Sequence, residues 1–317
     1  MCRVMNSLRI RKPVIIIGCP RSGTSLLFRI LSTSKDLWSL YRESNDIWES
    51  FYDYTGKDFQ DEVLNESDLD DSTKEFLLTK FHKYSLNNYY LGYLIREYLL
   101  KRKILRPSVD WISTGSYFYK KAFCSEYRLV EKTPKNCFRI PFINKLFDDC
   151  RFIFLKRDGR SNINSLIDGW KAKNKYIRAR LKNVNLNIKG YDDKHWKFAL
   201  PPGWKDYTEK SLEEVCAFQW ISSNKAALDG LNNIENKRKY EISYEELSEN
   251  TFSIMEKLCN FVEIPFSKEL REVSQNLPVV NSVTKPEKDK WKKNEEVIKK
   301  VYPVIEPMMN NLGYKLI

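Results

Sequence analysis

The strongest constraint on the fold lies near the N-terminus, where Val14-Ile15-Ile16-Ile17 runs directly into Gly18-Cys19-Pro20-Arg21-Ser22-Gly23-Thr24-Ser25. Four consecutive β-branched apolar residues leave no polar face for water. The run therefore reads as a strand buried on both sides, as in a parallel sheet covered by helices. Beyond the loop, Leu26, Leu27, Ile30 and Leu31 recur at helical spacing. Strand, glycine-bounded loop and helix in that order make half of a β-α-β unit.

Later segments repeat the theme. Leu129-Val130 predicts a short strand leading into Glu131-Lys132-Thr133-Pro134, and residues 151–157 predict a second strong strand with a helix over 161–170. A third strand is expected over 239–243, helices over 142–147, 212–231 and 252–262, and a C-terminal helix over 297–312, with Pro303 as the alternative start. Residues 46–128 read as a helical insertion. Within it Phe76, Leu77, Phe81, Tyr84, Leu91, Leu94 and Tyr98 form a core stripe, and 58–71 reads as a solvated acidic face or loop. Residues 171–212 are rich in Lys, Asn and Trp and carry Pro201-Pro202-Gly203, which reads as an insertion or lid. No repeat or low-complexity tract divides the chain, so residues 1–317 are expected to form a single domain.

Charge narrows the partners. Lys and Arg number 54 against 42 Asp and Glu, a net charge of +12. That excess favours an anionic partner: nucleic acid, an acidic membrane surface, or a phosphorylated or sulfated small molecule. No apolar run approaches the roughly 18 residues of a transmembrane helix, and 14–17 is too short for the apolar region of a signal peptide. The 7 cysteines are scattered without a CxxC pair, and there are 2 histidines. No metal site is expected, and dispersed reduced thiols point to a cytoplasmic protein.

Gly18 to Ser25 has the spacing of a phosphate-cradling loop, GxxxxGK[ST], except that Thr24 replaces the lysine. The backbone argument survives that change. A glycine-permitted turn before a helix aims N–H groups, here of residues 22–25, at an anion, and the helix dipole adds to them. Arg21, inside the loop, offers a guanidinium suited to bidentate grip. The fold class read from these elements is α/β: a P-loop-type three-layer fold with a central parallel sheet, flanking helices and helical insertions.

Pro20-Arg21-Ser22-Gly23-Thr24-Ser25-Leu26-Leu27 resembles the 5′-phosphosulfate loop of sulfotransferases, in the branch that includes protein-tyrosine and many bacterial sulfotransferases. Arg157-Asp158-Gly159-Arg160-Ser161-Asn162-Ile163-Asn164-Ser165 resembles the same family's 3′-phosphate motif, an Arg and a Ser eight positions apart. The resemblance implies 3′-phosphoadenosine 5′-phosphosulfate as donor. It places Arg21, Ser22, Gly23, Thr24 and Ser25 on the 5′-phosphosulfate, and Arg157 and Ser165 on the 3′-phosphate. Glu43, 22 positions after Arg21, matches that branch's general base. Lys132 is implied as the cation at the bridging oxygen, beside Arg21. The stretch after Lys132 lacks the histidine of the cytosolic branch, and Glu131 is a lesser candidate base. Tyr244 is implied near the adenine, Ser282 near the sulfuryl group and Lys290 at the 3′-phosphate. The expected acceptor is a small-molecule, carbohydrate or peptide hydroxyl, with no metal and no nucleic acid. A P-loop kinase using ATP and a non-catalytic polyanion-binding module stand as the alternatives.

Overall fold

The computed structural model describes residues 8–40, 42–87, 120, 124–177, 181, 184–278 and 289–316. Four parallel strands form the central sheet: β1 (Val14–Ile17), β2 (Val130–Lys132), β3 (Arg151–Lys156) and β4 (Lys239–Ser243), in the spatial order β2-β1-β3-β4. Val14 lies opposite both Val130 and Arg151, and Lys156 lies opposite Ser243. Among the described residues the α-helices, in chain order, are α1 (Thr24–Leu31), α2 (Asn45–Thr55), α3 (Asp71–Tyr84), α4 (Ile140–Leu146), α5 (Gly159–Lys171), α6 (Leu212–Asn232), α7 (Tyr244–Glu249), α8 (Thr251–Val262), α9 (Lys268–Gln275), α10 (Glu295–Lys299) and α11 (Tyr302–Asn311).

Alternation along β1 divides the interior. Val14 and Ile16 pack with Ile153 and Leu155 of β3, Leu27 and Leu31 of α1, and Met255 and Leu258 of α8. Ile15 and Ile17 face the other way, into a larger core with Phe152, Phe154, Trp48, Phe142, Leu166 and Trp220. Both faces of the sheet are therefore covered, which is why β1 contains no polar residue. The result is the three-layer α/β arrangement expected. All four strands end on the same side, where open parallel sheets bind ligands.

The structure departs from the sequence reading in two places. The C-terminal helix is two helices, α10 and α11, with Pro303 in the first turn of the second. A proline there lacks the N–H and crowds the carbonyl four residues back, which favours a helix start at that point, although Pro307 is carried inside α11. The acidic stretch 58–71 is not solvated throughout. Glu62 is fully buried, paired with Arg139 and 3.5 Å from Lys135, beneath the insertion. The predicted stripe is a helix through Tyr84, with Leu77 and Phe81 buried, while Leu91, Leu94 and Tyr98 lie outside the described residues. Among the described residues, no helix is long and apolar enough to cross a membrane.

Candidate functional site

The loop from Gly18 to Gly23 joins β1 to α1 at the C-terminal edge of the sheet. Two glycines are required there for different reasons. A Cβ on Gly18 would sit 2.5 Å from the Leu155 carbonyl oxygen of the neighbouring strand. Gly23 has φ +100°, and its Cβ would sit 2.3 Å from the Tyr244 ring. Gly23 caps α1 without a side-chain acceptor, so the first-turn N–H groups have no capping side chain. Ser22 is an exception to the expected cradle: its N–H donates to the Cys19 carbonyl at 3.0 Å. Its hydroxyl is buried and makes no hydrogen bond among the described residues. Thr24, at the lysine position of a triphosphate loop, is 2% exposed.

Glu43, just before α2, meets Lys132, the last residue of β2. The Lys132 ammonium donates to Glu43 Oε1 at 2.7 Å and to Ser25 Oγ at 3.1 Å, and Asn45 Nδ2 donates to Glu43 Oε2 at 2.8 Å. The Lys132 side chain is 4% exposed and that of Glu43 is 34% exposed, so the pair is open on the glutamate side. Burial pushes the Glu43 carboxyl up, but the charge and hydrogen bond of Lys132, with help from Asn45 and Lys135, outweigh it and hold the group below its ordinary value. Glu43 is therefore ionised at neutral pH. Arg42 turns away, to Asp46. Glu131, next along the strand, points to the opposite face of β2. Its fully buried carboxyl accepts from Ser44, Thr133 and Asn136.

The second cluster gathers around Arg157, at the end of β3. Its Nη1 donates to the Arg21 carbonyl at 2.8 Å, its guanidinium lies 4.4 Å from the Tyr244 ring centroid, and its buried Nε has no partner among the described residues. Burial pulls this guanidinium below the ordinary arginine value, and nearby Glu245 and Asp158 offset it only in part. The Arg21 side chain reaches this cluster rather than only overhanging its own loop. Its Nε donates to Ser165 Oγ at 3.2 Å and its Nη1 to the Tyr176 hydroxyl at 3.0 Å. Arg21, Tyr176 and Phe198 are all non-glycine residues at positive φ (73°, 61° and 61°), and Tyr176 stacks on Phe198 at 4.6 Å. Such strain collects where surrounding structure fixes a site. Lys290 pairs with Asp168 of α5 at 2.5 Å, one turn beyond Ser165. Ser282 lies outside the described residues.

The structure thus joins the sequence candidates into two adjoining groups: Glu43, Lys132 and Ser25 on one side of the loop, and Arg21, Arg157, Ser165 and Tyr244 on the other. It adds Tyr176, from the 171–212 segment, and Ser44, Thr133 and Asn136 behind Glu43. No local pattern marks Tyr176. Its role arises from a contact spanning 155 residues of sequence. The residues fit a nucleotide carrying two separated anionic groups. The loop presents glycine-made concavity, uncapped helix N–H groups and an orphaned buried hydroxyl. Arg157 presents an orphaned buried nitrogen. No group of three or more His, Cys, Asp or Glu among the described residues is arranged to hold a metal ion.

Comparison with known proteins agrees with this architecture. The solved sulfotransferase domain from the curacin biosynthetic pathway is 18% identical with a TM-score of 0.52, over 98% of this chain and 100% of that one. A sulfotransferase from Alicyclobacillus acidocaldarius is 11% identical at TM-score 0.46, covering 96% and 97% of the two chains. Mouse sulfotransferase SULT7A1, solved with PAP, is 12% identical at 0.46, covering 97% and 88%. No curated protein matches the sequence significantly. Residues 13–268, from β1 to the start of α9, match the sulfotransferase family as a whole. The chain belongs to the sulfotransferase family.

Proposed function

We propose that this chain, acting as one domain over residues 1–317, transfers a sulfuryl group from 3′-phosphoadenosine 5′-phosphosulfate to a hydroxyl of a small-molecule, carbohydrate or peptide acceptor. The observation that carries the reading is the meeting of Glu43, Lys132 and Ser25 at the tip of α1. A cradle for anions serves many nucleotides. A carboxylate and a buried lysine converging on that cradle suit transfer from a bound anion to a hydroxyl.

When bound, the donor supplies an activated sulfuryl group on a phosphate leaving group. Gly23, Thr24 and Ser25 hold its 5′ end through N–H groups, with Ser22 supplying its hydroxyl. Arg157 and Ser165 hold the 3′-phosphate. Tyr244 packs near the adenine, and Ser282 and Lys290 complete the nucleotide contacts. Glu43, kept ionised by Lys132, takes the proton of the acceptor hydroxyl. Lys132 and Arg21 balance negative charge on the leaving side. These cations supply the charge balance, so the scheme includes no metal. Thr24 offers no ammonium for a terminal phosphate, which favours this donor over ATP and a kinase. The buried free thiols Cys19, Cys137, Cys150, Cys216 and Cys259 suit a reducing, cytoplasmic setting.

The test is thermal unfolding with 3′-phosphoadenosine 5′-phosphate against ATP with magnesium, followed by transfer of ³⁵S-sulfate from labelled donor to a panel of alcohols, phenols and sugars. A ligand at 100 times its Kd adds about 2.7 kcal/mol of stability. A shift with the bisphosphate and label transfer to a hydroxyl are expected. A shift with ATP and magnesium alone overturns the proposal.

A further inference from the structure

Glu131 is buried, and its carboxyl is held by two hydroxyls and one amide. Ser44 Oγ donates to Oε1 at 2.5 Å, Thr133 Oγ1 to Oε1 at 2.6 Å, and Asn136 Nδ2 to Oε2 at 2.8 Å. The Ser44 N–H donates in turn to Thr133 Oγ1 at 2.9 Å. Burial pushes the Glu131 pKa up, and the Ser44 and Thr133 hydroxyls can accept as well as donate, so the knot closes in either protonation state of Glu131. Ser44, Thr133 and Asn136 are each no more than 1% exposed. The knot has no direct outlet to solvent.

Its position in the chain gives the knot a consequence. Ser44 follows Glu43, and Glu131 and Thr133 flank Lys132. Tying Ser44 to Glu131 and Thr133 therefore ties the two backbone segments that present Glu43 and Lys132, whose side chains meet on the other side at 2.7 Å. The far end is anchored as well. Arg139 Nη1 donates to Asn136 Oδ1 at 3.1 Å, and Arg139 Nε donates to the Glu62 carbonyl at 3.1 Å. The Glu62 N–H donates to the Leu200 carbonyl at 3.0 Å, in the 171–212 segment.

We propose that Glu131 is a positioning residue: through Ser44 and Thr133 it clamps Glu43 against Lys132 and thereby sets the protonation of the base. The proposal rests on the sulfotransferase reading for its catalytic meaning, but the clamp itself is measurable without turnover. The groups facing Glu43 are Lys132 from β2, Asn45 from α2 and Lys135 from the turn after β2. The charge of Lys132 also acts on Glu131, across the strand. When the clamp is cut, Lys132 stands farther from Glu43 and its lowering effect weakens while burial still raises the carboxyl. The pKa of Glu43 then rises.

The experiment is ¹³C NMR titration of labelled glutamate carboxyls, with Glu43→Gln to assign the resonance. Thr133→Val keeps shape and charge but removes both hydroxyl bonds. Ser44→Ala removes only the hydroxyl bond and serves if the first variant does not fold. In either, the Glu43 titration moves up, and the acid limb of kcat/KM moves with it. Turnover falls roughly 10–100-fold, as for a misplaced reacting group. Binding of 3′-phosphoadenosine 5′-phosphate stays within threefold. Glu131→Gln moves the titration the same way. An unchanged Glu43 titration in a folded Thr133→Val or Ser44→Ala protein overturns the clamp. So does a downward shift in Glu131→Gln, which would make Glu131 a bare through-space charge. If wild-type protein transfers no sulfuryl group, the function reading fails, and the NMR titration still decides the clamp.

Discussion

Replacing Glu43 with Gln separates chemistry from binding, and the structure fixes the expected sizes. The variant keeps shape and the contact with Asn45 but loses the proton acceptor. General-base catalysis is worth about 10²–10⁴ in rate, or about 2.7–5.4 kcal/mol of barrier at 1.36 kcal/mol per decade. Donor binding responds in the opposite sense. Lys132, 4% exposed, loses its carboxylate and retains Ser25 Oγ at 3.1 Å, so an anion arriving at the loop meets an uncompensated cation. The bisphosphate should bind as tightly as to wild type or up to about 10-fold tighter, about 1.4 kcal/mol. Stability pays for this. Breaking a buried pair costs about 3–5 kcal/mol and an exposed pair about 0–1. A glutamate one-third exposed places the cost between them, at about 1–3 kcal/mol. The assays are isothermal titration with 3′-phosphoadenosine 5′-phosphate, steady-state transfer of ³⁵S, and urea unfolding. Bisphosphate binding weakened more than threefold, or turnover within threefold of wild type, refutes the assignment of Glu43 as base and competitor for Lys132.

Arg157→Ala removes the bond to the Arg21 carbonyl and the stack on Tyr244. Bisphosphate affinity should fall about 10–150-fold, equivalent to about 1.5–3 kcal/mol for a charged hydrogen bond; a titration showing less than a threefold change would remove Arg157 from the nucleotide site. Gly23→Ala drives a Cβ into the Tyr244 ring at φ +100°. It should lower the thermal midpoint by several degrees and weaken bisphosphate binding, and a wild-type melting curve would contradict the packing argument. Tyr176→Phe deletes one hydroxyl from Arg21 while keeping the stack on Phe198. It should weaken the bisphosphate roughly 3–10-fold, about 1 kcal/mol, because the hydroxyl acts on the nucleotide only by holding Arg21, and equal affinity would leave the 171–212 segment without a part in donor binding. For wild type, the Glu43 carboxyl is held below its ordinary value, so kcat/KM should stay flat from neutrality down through the ordinary carboxylate range. The limb appears only as pH falls through the lowered pKa, and a limb above pH 5 in the free enzyme would show that another group controls the rate.

Much of this was legible in the residues because it is local. The apolar run Val14 to Ile17 and the glycines at 18 and 23 are short-range signals. So are the helical spacing of Leu26 to Leu31 and the strand over 151–156. Each acts through sterics or periodicity within a few residues. Arg157 and Ser165 were readable as residues of one strand end and the following helix, while the link between them runs through the distant Arg21. The start of the last helix near Pro303 was legible because a proline fits the first turn, where no N–H is needed, whereas the separate short helix α10 before it was not.

What the sequence determined by itself is the β1–loop–α1 unit and the parallel sheet it belongs to. These follow from burial and backbone freedom, both set within about twenty residues. Only the tertiary structure decided which charges meet. Glu43 and Lys132 are 89 residues apart, Arg21 and Tyr176 are 155 apart, and Glu62 and Arg139 are 77 apart. Burying an ion is costly unless an opposite charge or donor arrives with it. Which partner arrives depends on how the insertions fold over the sheet, and no local stretch of sequence records it.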